Sequence, residues 1–171
     1  MSEPKQEIKY LHYSYDNMVA DLKRIINMIT IADWQPDLII GLTRGGLVPA
    51  VMMSHYYNVP LVPINLSLRD FKNDYESVLV ELNQITPKYF NGKYENILVV
   101  DDILDSGDTL DELSRIFMLL DKDAKLDIKY ATLFYNTSNE KKFVPNFYGQ
   151  PIDKQIEAPW IIFPFENALE K

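Results

Sequence analysis

The chain has no cysteine, which excludes disulfides, a thiolate nucleophile and a cysteine-ligated zinc site. No stretch approaches the roughly 18 unbroken apolar residues of a membrane-spanning helix. The opening MSEPKQEIKY is polar and has no apolar core like that of a signal peptide, so export is not expected and the cytoplasm is the expected location. The two N-x-S sequons at Asn65 and Asn136 therefore carry no weight. Basic residues are in deficit: 17 Lys and Arg against 25 Asp and Glu leave a net charge of -8. That argues against a nucleic-acid surface, but small anionic substrates stay open, because backbone amides and a few basic side chains meet them locally. Repeats, low-complexity tracts and Gly/Ser linkers are absent too. At 171 residues and 47% hydrophobic content, one domain over 1–171 is expected, with a polar tail at 1–7. Histidine is scarce, and His12 and His55 lie outside any motif.

What is present is concentrated in VVDDILDSGDTL, residues 99–110. The apolar run 97–100 suits a strand buried on both faces. Asp101 and Asp102 stand where that strand is expected to end. Asp105, Ser106, Gly107, Asp108 and Thr109 form a small-residue turn, and Leu110, Leu113, Ile116, Phe117 and Leu120 then recur at helical spacing. Amides in such a turn and in the first helical turn have no intrahelical partners, and the helix dipole favours negative charge there. A phosphate fits that position. Asp101 and Asp102, about one sugar ring away, suit ribose hydroxyls or Mg²⁺. Each residue taken alone also has a structural reading as strand end, helix cap or turn. Four Asp within 101–108 are harder to explain that way, since like charges this close repel unless cations or hydroxyl donors compensate.

A second strand end repeats the pattern. In GLTRGGLVPA, residues 41–50, an apolar strand at 38–42 meets a turn with two glycines and Arg44. Close backbone approach and a planar guanidinium both suit phosphate oxygens. Pro49 falls in the first turn of the helix that follows, where a missing N–H costs nothing. Elsewhere, Ser14 or Asp16 caps a first helix whose apolar face is Met18, Val19, Leu22, Ile25, Ile26 and Ile29. Further strands are expected at 61–66, 78–82, 128–135, 144–148 and 160–163. Alternating strands and helices predict an α/β fold, a mostly parallel central sheet with helices on both faces, in which ligands bind at the carboxyl ends of strands.

The 97–110 segment resembles the phosphoribosyl pyrophosphate (PRPP) signature of the type I phosphoribosyltransferases, position by position. The resemblance implies that family's fold, with a small C-terminal hood over the base at about 136–171. It implies ribose contacts and metal ligation by Asp101 and Asp102, and a 5′-phosphate loop from Asp105 through Ser106, Gly107 and Asp108 to Thr109. Asp108 is an odd charge beside a phosphate, which a side chain turned outward would resolve. It further implies a pyrophosphate loop at Thr43, Arg44 and Gly45 with a cis Thr43–Arg44 bond, and a lid starting at Ser67 and Arg69, where Leu68 departs from the family's usual Tyr. Closing such a lid would exclude water. A dimer or tetramer is likewise implied by the family alone.

The implied reaction displaces pyrophosphate from PRPP by a nitrogen of a purine base, with Mg²⁺ as cofactor, through an oxocarbenium-like transition state. Arg44 and the metal stabilise the leaving group, and Asp105 stands at the family position proposed to handle the base's N7 proton. An exposed Asp titrates near 4, which makes it a weak base at neutral pH. The IExPW pattern at Ile156, Glu157, Ala158, Pro159 and Trp160 resembles the purine-covering segment of bacterial xanthine-guanine phosphoribosyltransferases, with Gln155 in place of the stacking aromatic. Asn136 stands where those enzymes carry a Lys that reads the 6-oxo group. An amide also donates there, so a 6-oxopurine is permitted. The WIIFPFE run at 160–166 resembles the WxxxPWE ending of archaeal and fungal purine enzymes, which makes Trp160 a second base-contact candidate. Its structural alternative is a packed terminal strand of Trp160, Ile162 and Phe163. A PRPP-binding regulator without turnover and a phosphoribosyltransferase for a non-purine acceptor are the other functional readings.

Overall fold

The computed structural model of the chain describes residues 9–65, 92–121, 125–140 and 142–166. The polar tail at 1–7, the lid residues Ser67 and Arg69 and the strand expected at 78–82 fall outside the described residues.

In chain order the elements are β1 (Tyr10–His12), α1 (Tyr15–Ile31), β2 (Leu38–Leu42), α2 (Leu47–Tyr57), β3 (Leu61–Ile64), β4 (Asn96–Leu104), α3 (Asp108–Leu120), β5 (Asp127–Asn136), β6 (Phe147–Ile152) and β7 (Trp160–Ile162). Among the described residues, five strands form one sheet in the order β3-β2-β4-β5-β6, and each neighbouring pair runs parallel. The pleat sorts the side chains into two layers. Ile39, Leu98, Val100 and Leu133 pack with Met18, Leu22, Ile25 and Ile29 of α1 and Ala50 and Met53 of α2. Leu38, Ile40, Leu42, Ile97 and Val99 pack with Leu110, Leu113, Ile116 and Phe117 of α3. Helices therefore cover both faces, as the alternation of elements predicts.

Ser14 caps α1, its hydroxyl accepting from the Asn17 amide at 3.1 Å. The α1 stripe holds one residue whose charge does not suit a buried face, Asp21, only 1% exposed. Its carboxylate accepts from the Tyr13 hydroxyl at 2.5 Å, Arg24 at 2.9 Å and Gln150 Nε2 at 2.7 Å. Burial and the Asp21 charge push the Tyr13 phenol well above its usual value, so it stays a donor. This network ties α1 to the edge strand β6. Asp21→Ala would leave the buried Tyr13 hydroxyl without its acceptor, and is expected to lower unfolding free energy by about 1–3 kcal/mol, read from urea titration.

Three boundaries differ from expectation. The signature strand does not end at the two acids: β4 runs on to Leu104, with Asp101 paired to Thr132, Ile103 to Phe134 and Leu104 to Tyr135. The long partner β5 supplies the ladder that holds them. The strand expected at 144–148 is β6 at 147–152, paired with β5 from Phe147 to Ile152. It tolerates Pro151 because it lies at the sheet edge. The expected hood at 136–171 is thus divided, since β6 belongs to the main sheet while β7 pairs in parallel with β1, Tyr10 opposite Trp160.

Candidate active site

The turn after β2 meets the Asp pair of β4. Gly45 and Gly46 follow β2, and β2 lies beside β4 with Gly41 opposite Val100. A Cβ built on Gly45 would stand 1.8 Å from Asp102 Oδ2 and 2.3 Å from its Cγ, and one on Gly46 would stand 2.4 Å from the Val100 carbonyl oxygen. Only a chain without side chains lets this turn lie so close to the Asp pair. The Thr43–Arg44 peptide is cis, as the resemblance implies. The turn is pinned on its other side by β3 and its exit, where Thr43 N donates to the Ile64 carbonyl at 2.9 Å and Thr43 Oγ1 donates to Asn65 Oδ1 at 2.9 Å. Arg44 is exposed.

Asp101 Oδ1 accepts from the Asp102 amide at 2.9 Å and Asp102 Oδ1 from the Ile103 amide at 2.7 Å. Even so, the Asp102 carboxyl is held above the usual carboxylate range, first by burial and further by the charge of Glu166. Glu166 is itself placed by the Phe163 amide, which donates to its Oε2 at 2.8 Å. A carboxyl whose folded-state pKa is raised binds its proton more tightly folded than unfolded, so its contribution to stability is largest in acid and is lost as pH rises through the folded value. Asp102→Asn is therefore expected to be more stable than the parent in metal-free buffer at pH 7. In thermal melts across pH, that advantage should shrink on acidification and vanish below about pH 4.

Of the residues expected to form a 5′-phosphate loop, Asp105, Ser106 and Gly107 lie between β4 and α3, and Asp108 and Thr109 begin α3. Gly107 precedes the helix at φ 89° and offers no side chain to cap it, and its carbonyl accepts from Asp111 N at 2.9 Å. The Asp108 side chain does not simply turn outward. Its Oδ2 accepts from the Ser106 hydroxyl at 2.7 Å, while Ser106 Oγ lies 3.3 Å from the Asp108 amide. This is a local side chain to backbone exchange of the kind Ser and Asp make at helix starts.

Asp105 is engaged from two directions. Lys154 Nζ donates to its Oδ2 at 2.7 Å, and Asn136 Nδ2 donates to its carbonyl at 3.2 Å and its Oδ1 at 3.4 Å. Asn136 is 6% exposed, and its Oδ1 accepts from Ser138 N, Ser138 Oγ and Lys154 N. The amide expected to read a base is thus turned to Asp105 and to its own turn, because the short side chain sits inside the end of β5. Gln155 is exposed, Ile156 is 85% exposed and Trp160 is 56% exposed. Trp160 is not the packed residue of its strand, since Ile161 and Phe163 are the buried ones. The backbone of Trp160 donates to the Lys9 carbonyl at 2.8 Å.

Sequence reasoning missed Lys154 and Glu166. Lys154 is the one cation between Lys142 and Lys171 and stands two residues before the IExPW segment, a signal that could have marked it. Glu166 closes the WIIFPFE run, but no spacing rule connects it to Asp102. Among the described residues no group of three or more His, Cys, Asp or Glu is placed to hold a metal by itself, and no helix is long and apolar enough to cross a membrane.

The arrangement has one turn with a fixed cation at the end of β2, a carboxylate pair in β4 and an amide-rich turn opening α3, all at the carboxyl side of a parallel sheet. Such an arrangement suits a phosphorylated sugar with a second anionic group. A family model for the phosphoribosyl transferase domain matches residues 13–168. The chain is 27% identical over 176 aligned positions to a xanthine-guanine phosphoribosyltransferase of Cereibacter sphaeroides, covering 99% of this chain and 95% of that protein. The fold is similar to the Helicobacter pylori xanthine-guanine-hypoxanthine phosphoribosyltransferase, with TM-score 0.70, 23% identity and coverage of 94% of this chain and 96% of that one. It is also similar to a purine phosphoribosyltransferase from Pyrococcus horikoshii, with TM-score 0.63, 23% identity and coverage of 92% and 94%. With its signature residues converging on one strand-end site, and with the family match spanning nearly its whole length, the chain belongs to the phosphoribosyltransferase family.

Proposed function

We propose that the protein transfers the 5-phosphoribosyl group of PRPP to a 6-oxopurine, releasing pyrophosphate. The observation that carries this is the packing of Gly45 on Asp102, which makes the turn after β2 and the acids of β4 two walls of one site. In this reading the amides of 105–109 hold the 5′-phosphate, Asp101 and Asp102 accept from the ribose hydroxyls, and Thr43, Arg44 and Gly45 face the pyrophosphate. As the anomeric bond breaks, charge grows on the leaving oxygen and on the ring. Arg44 meets the first and the Asp pair the second, without reorganising. Asp105 faces the incoming nitrogen.

The donor set fits Mg²⁺. The ion commonly takes one or two carboxylates and completes its shell with water and substrate phosphates, and a carboxyl held up by burial and, further, by the Glu166 charge is one that a cation relieves. When bound it would neutralise pyrophosphate oxygens as they leave. A cytoplasmic location and a homo-oligomer follow by family only, and the lid role of Ser67 and Arg69 belongs to the same reading. Calorimetric titration with IMP, GMP and XMP against AMP and orotidine monophosphate tests the base class. The 6-oxopurine nucleotides are expected to bind at least about tenfold tighter, and equal or reversed affinities would overturn the assignment.

A further inference from the structure

Lys154 stands two residues past β6, yet its ammonium reaches the phosphate loop, 2.7 Å from Asp105 Oδ2. Its backbone is fixed by donation to Asn136 Oδ1 at 3.2 Å. The two side chains are 25% and 31% exposed, so the pair sits at the rim of the site, partly open to an incoming molecule. Asn136 cannot take that role, because its amide is committed on both sides and buried. Lys154 brings a long stem and three N–H donors, of which Asp105 needs one.

A carboxylate and an ammonium side by side offer an acceptor next to a donor. The five-membered ring edge of a 6-oxopurine in its N7–H form is the complement, with N7–H to donate and O6 to accept. A 6-aminopurine presents an amino group there, whose hydrogens face the ammonium and leave it unmatched. We infer that Lys154 is the residue that reads the 6-position of the base. Its ammonium donates to O6 while Asp105 accepts from the adjacent ring N–H. The discriminating cation thus comes from the turn after β6, and Asn136 at the end of β5 is the positioning residue that holds Asp105 and the Lys154 backbone. This inference rests on the phosphoribosyl-transfer reading and assigns its specificity to one side chain.

The test compares Lys154→Met and Lys154→Arg with the parent in steady-state kinetics on hypoxanthine, guanine and adenine, together with calorimetric binding of IMP and of ribose 5-phosphate. Losing a charged hydrogen bond is expected to raise the KM for 6-oxopurines about 10–100-fold in Lys154→Met. The preference for hypoxanthine over adenine should fall by a similar factor. The KM for PRPP and the affinity for ribose 5-phosphate should stay within about twofold, and Lys154→Arg should restore most of the selectivity. Should the Met variant not fold, Lys154→Gln takes the same readouts. Unchanged base selectivity in the variants overturns the inference, as does an equal loss of ribose 5-phosphate binding, which would mark Lys154 as structural. If the parent binds ribose 5-phosphate but neither binds nor uses any 6-oxopurine, the functional reading fails and this inference with it.

Discussion

Replacing Asp101 and Asp102 together by Asn is expected to lower kcat/KM for PRPP by about 10³-fold or more while leaving the fold intact. Both residues lie inside β4, where the Asp101 position is laddered to Thr132 of β5. An Asn in each place has the same shape and still accepts the local bonds now made by the Asp102 and Ile103 amides. What disappears is charge. Charge-assisted hydrogen bonds are roughly twice as strong as neutral ones, and each preorganised electrostatic partner of a transition state is worth about 10² to 10³ in rate. The double variant should also melt no lower than the parent at neutral pH, because the Asp102 charge is opposed by burial and by Glu166. Pyrophosphate release measured beside thermal unfolding separates the two effects. A folded variant with unchanged kinetics would mean the acids do not touch the sugar.

Gly45→Ala carries the second large effect, and it acts through geometry alone. The new methyl would lie 1.8 Å from Asp102 Oδ2 and 2.9 Å from Oδ1, inside any allowed contact. Asp102 is a short side chain already held by the Ile103 amide at 2.7 Å, so the clash is not relieved by swinging a flexible end. Either the carboxylate or the turn carrying Arg44 must move by about an ångström, and displacements of that size in a positioned site cost about 10²-fold. The loss is expected in turnover with PRPP, read as kcat/KM, while circular dichroism stays near that of the parent.

Much of the architecture was legible in the sequence because its signals are local. The runs at 38–42 and 97–100 are apolar on both faces, and the α3 stripe from Leu110 to Phe117 has helical period. These are the features that bury a parallel sheet between helices. The elements that escaped depend on distant partners. β1 is three residues long with an exposed side-chain pattern, and it exists as a strand because β7 pairs with it some 150 positions later. The extension of β4 past its two acids likewise depends on the length of β5. At the site, the motif residues of 101–109 and 43–45 could be read in order along the chain. Asp105, Asn136 and Lys154 meet only after three elements are folded. Asn136 matched a motif position and turned out to face inward, whereas Lys154 matched none and reaches Asp105.

The most direct test of phosphoribosyl transfer is pyrophosphate release on mixing the purified protein with PRPP, Mg²⁺ and one base at a time. Release that depends on hypoxanthine, guanine or xanthine, is matched mole for mole by nucleotide formed, and is lost in the Asp101→Asn, Asp102→Asn double variant is the expected result. Binding of PRPP without release for any base would contradict the account and make the protein a nucleotide-responsive binder on this fold. Release with orotate or another pyrimidine alone would move the acceptor out of the purine class.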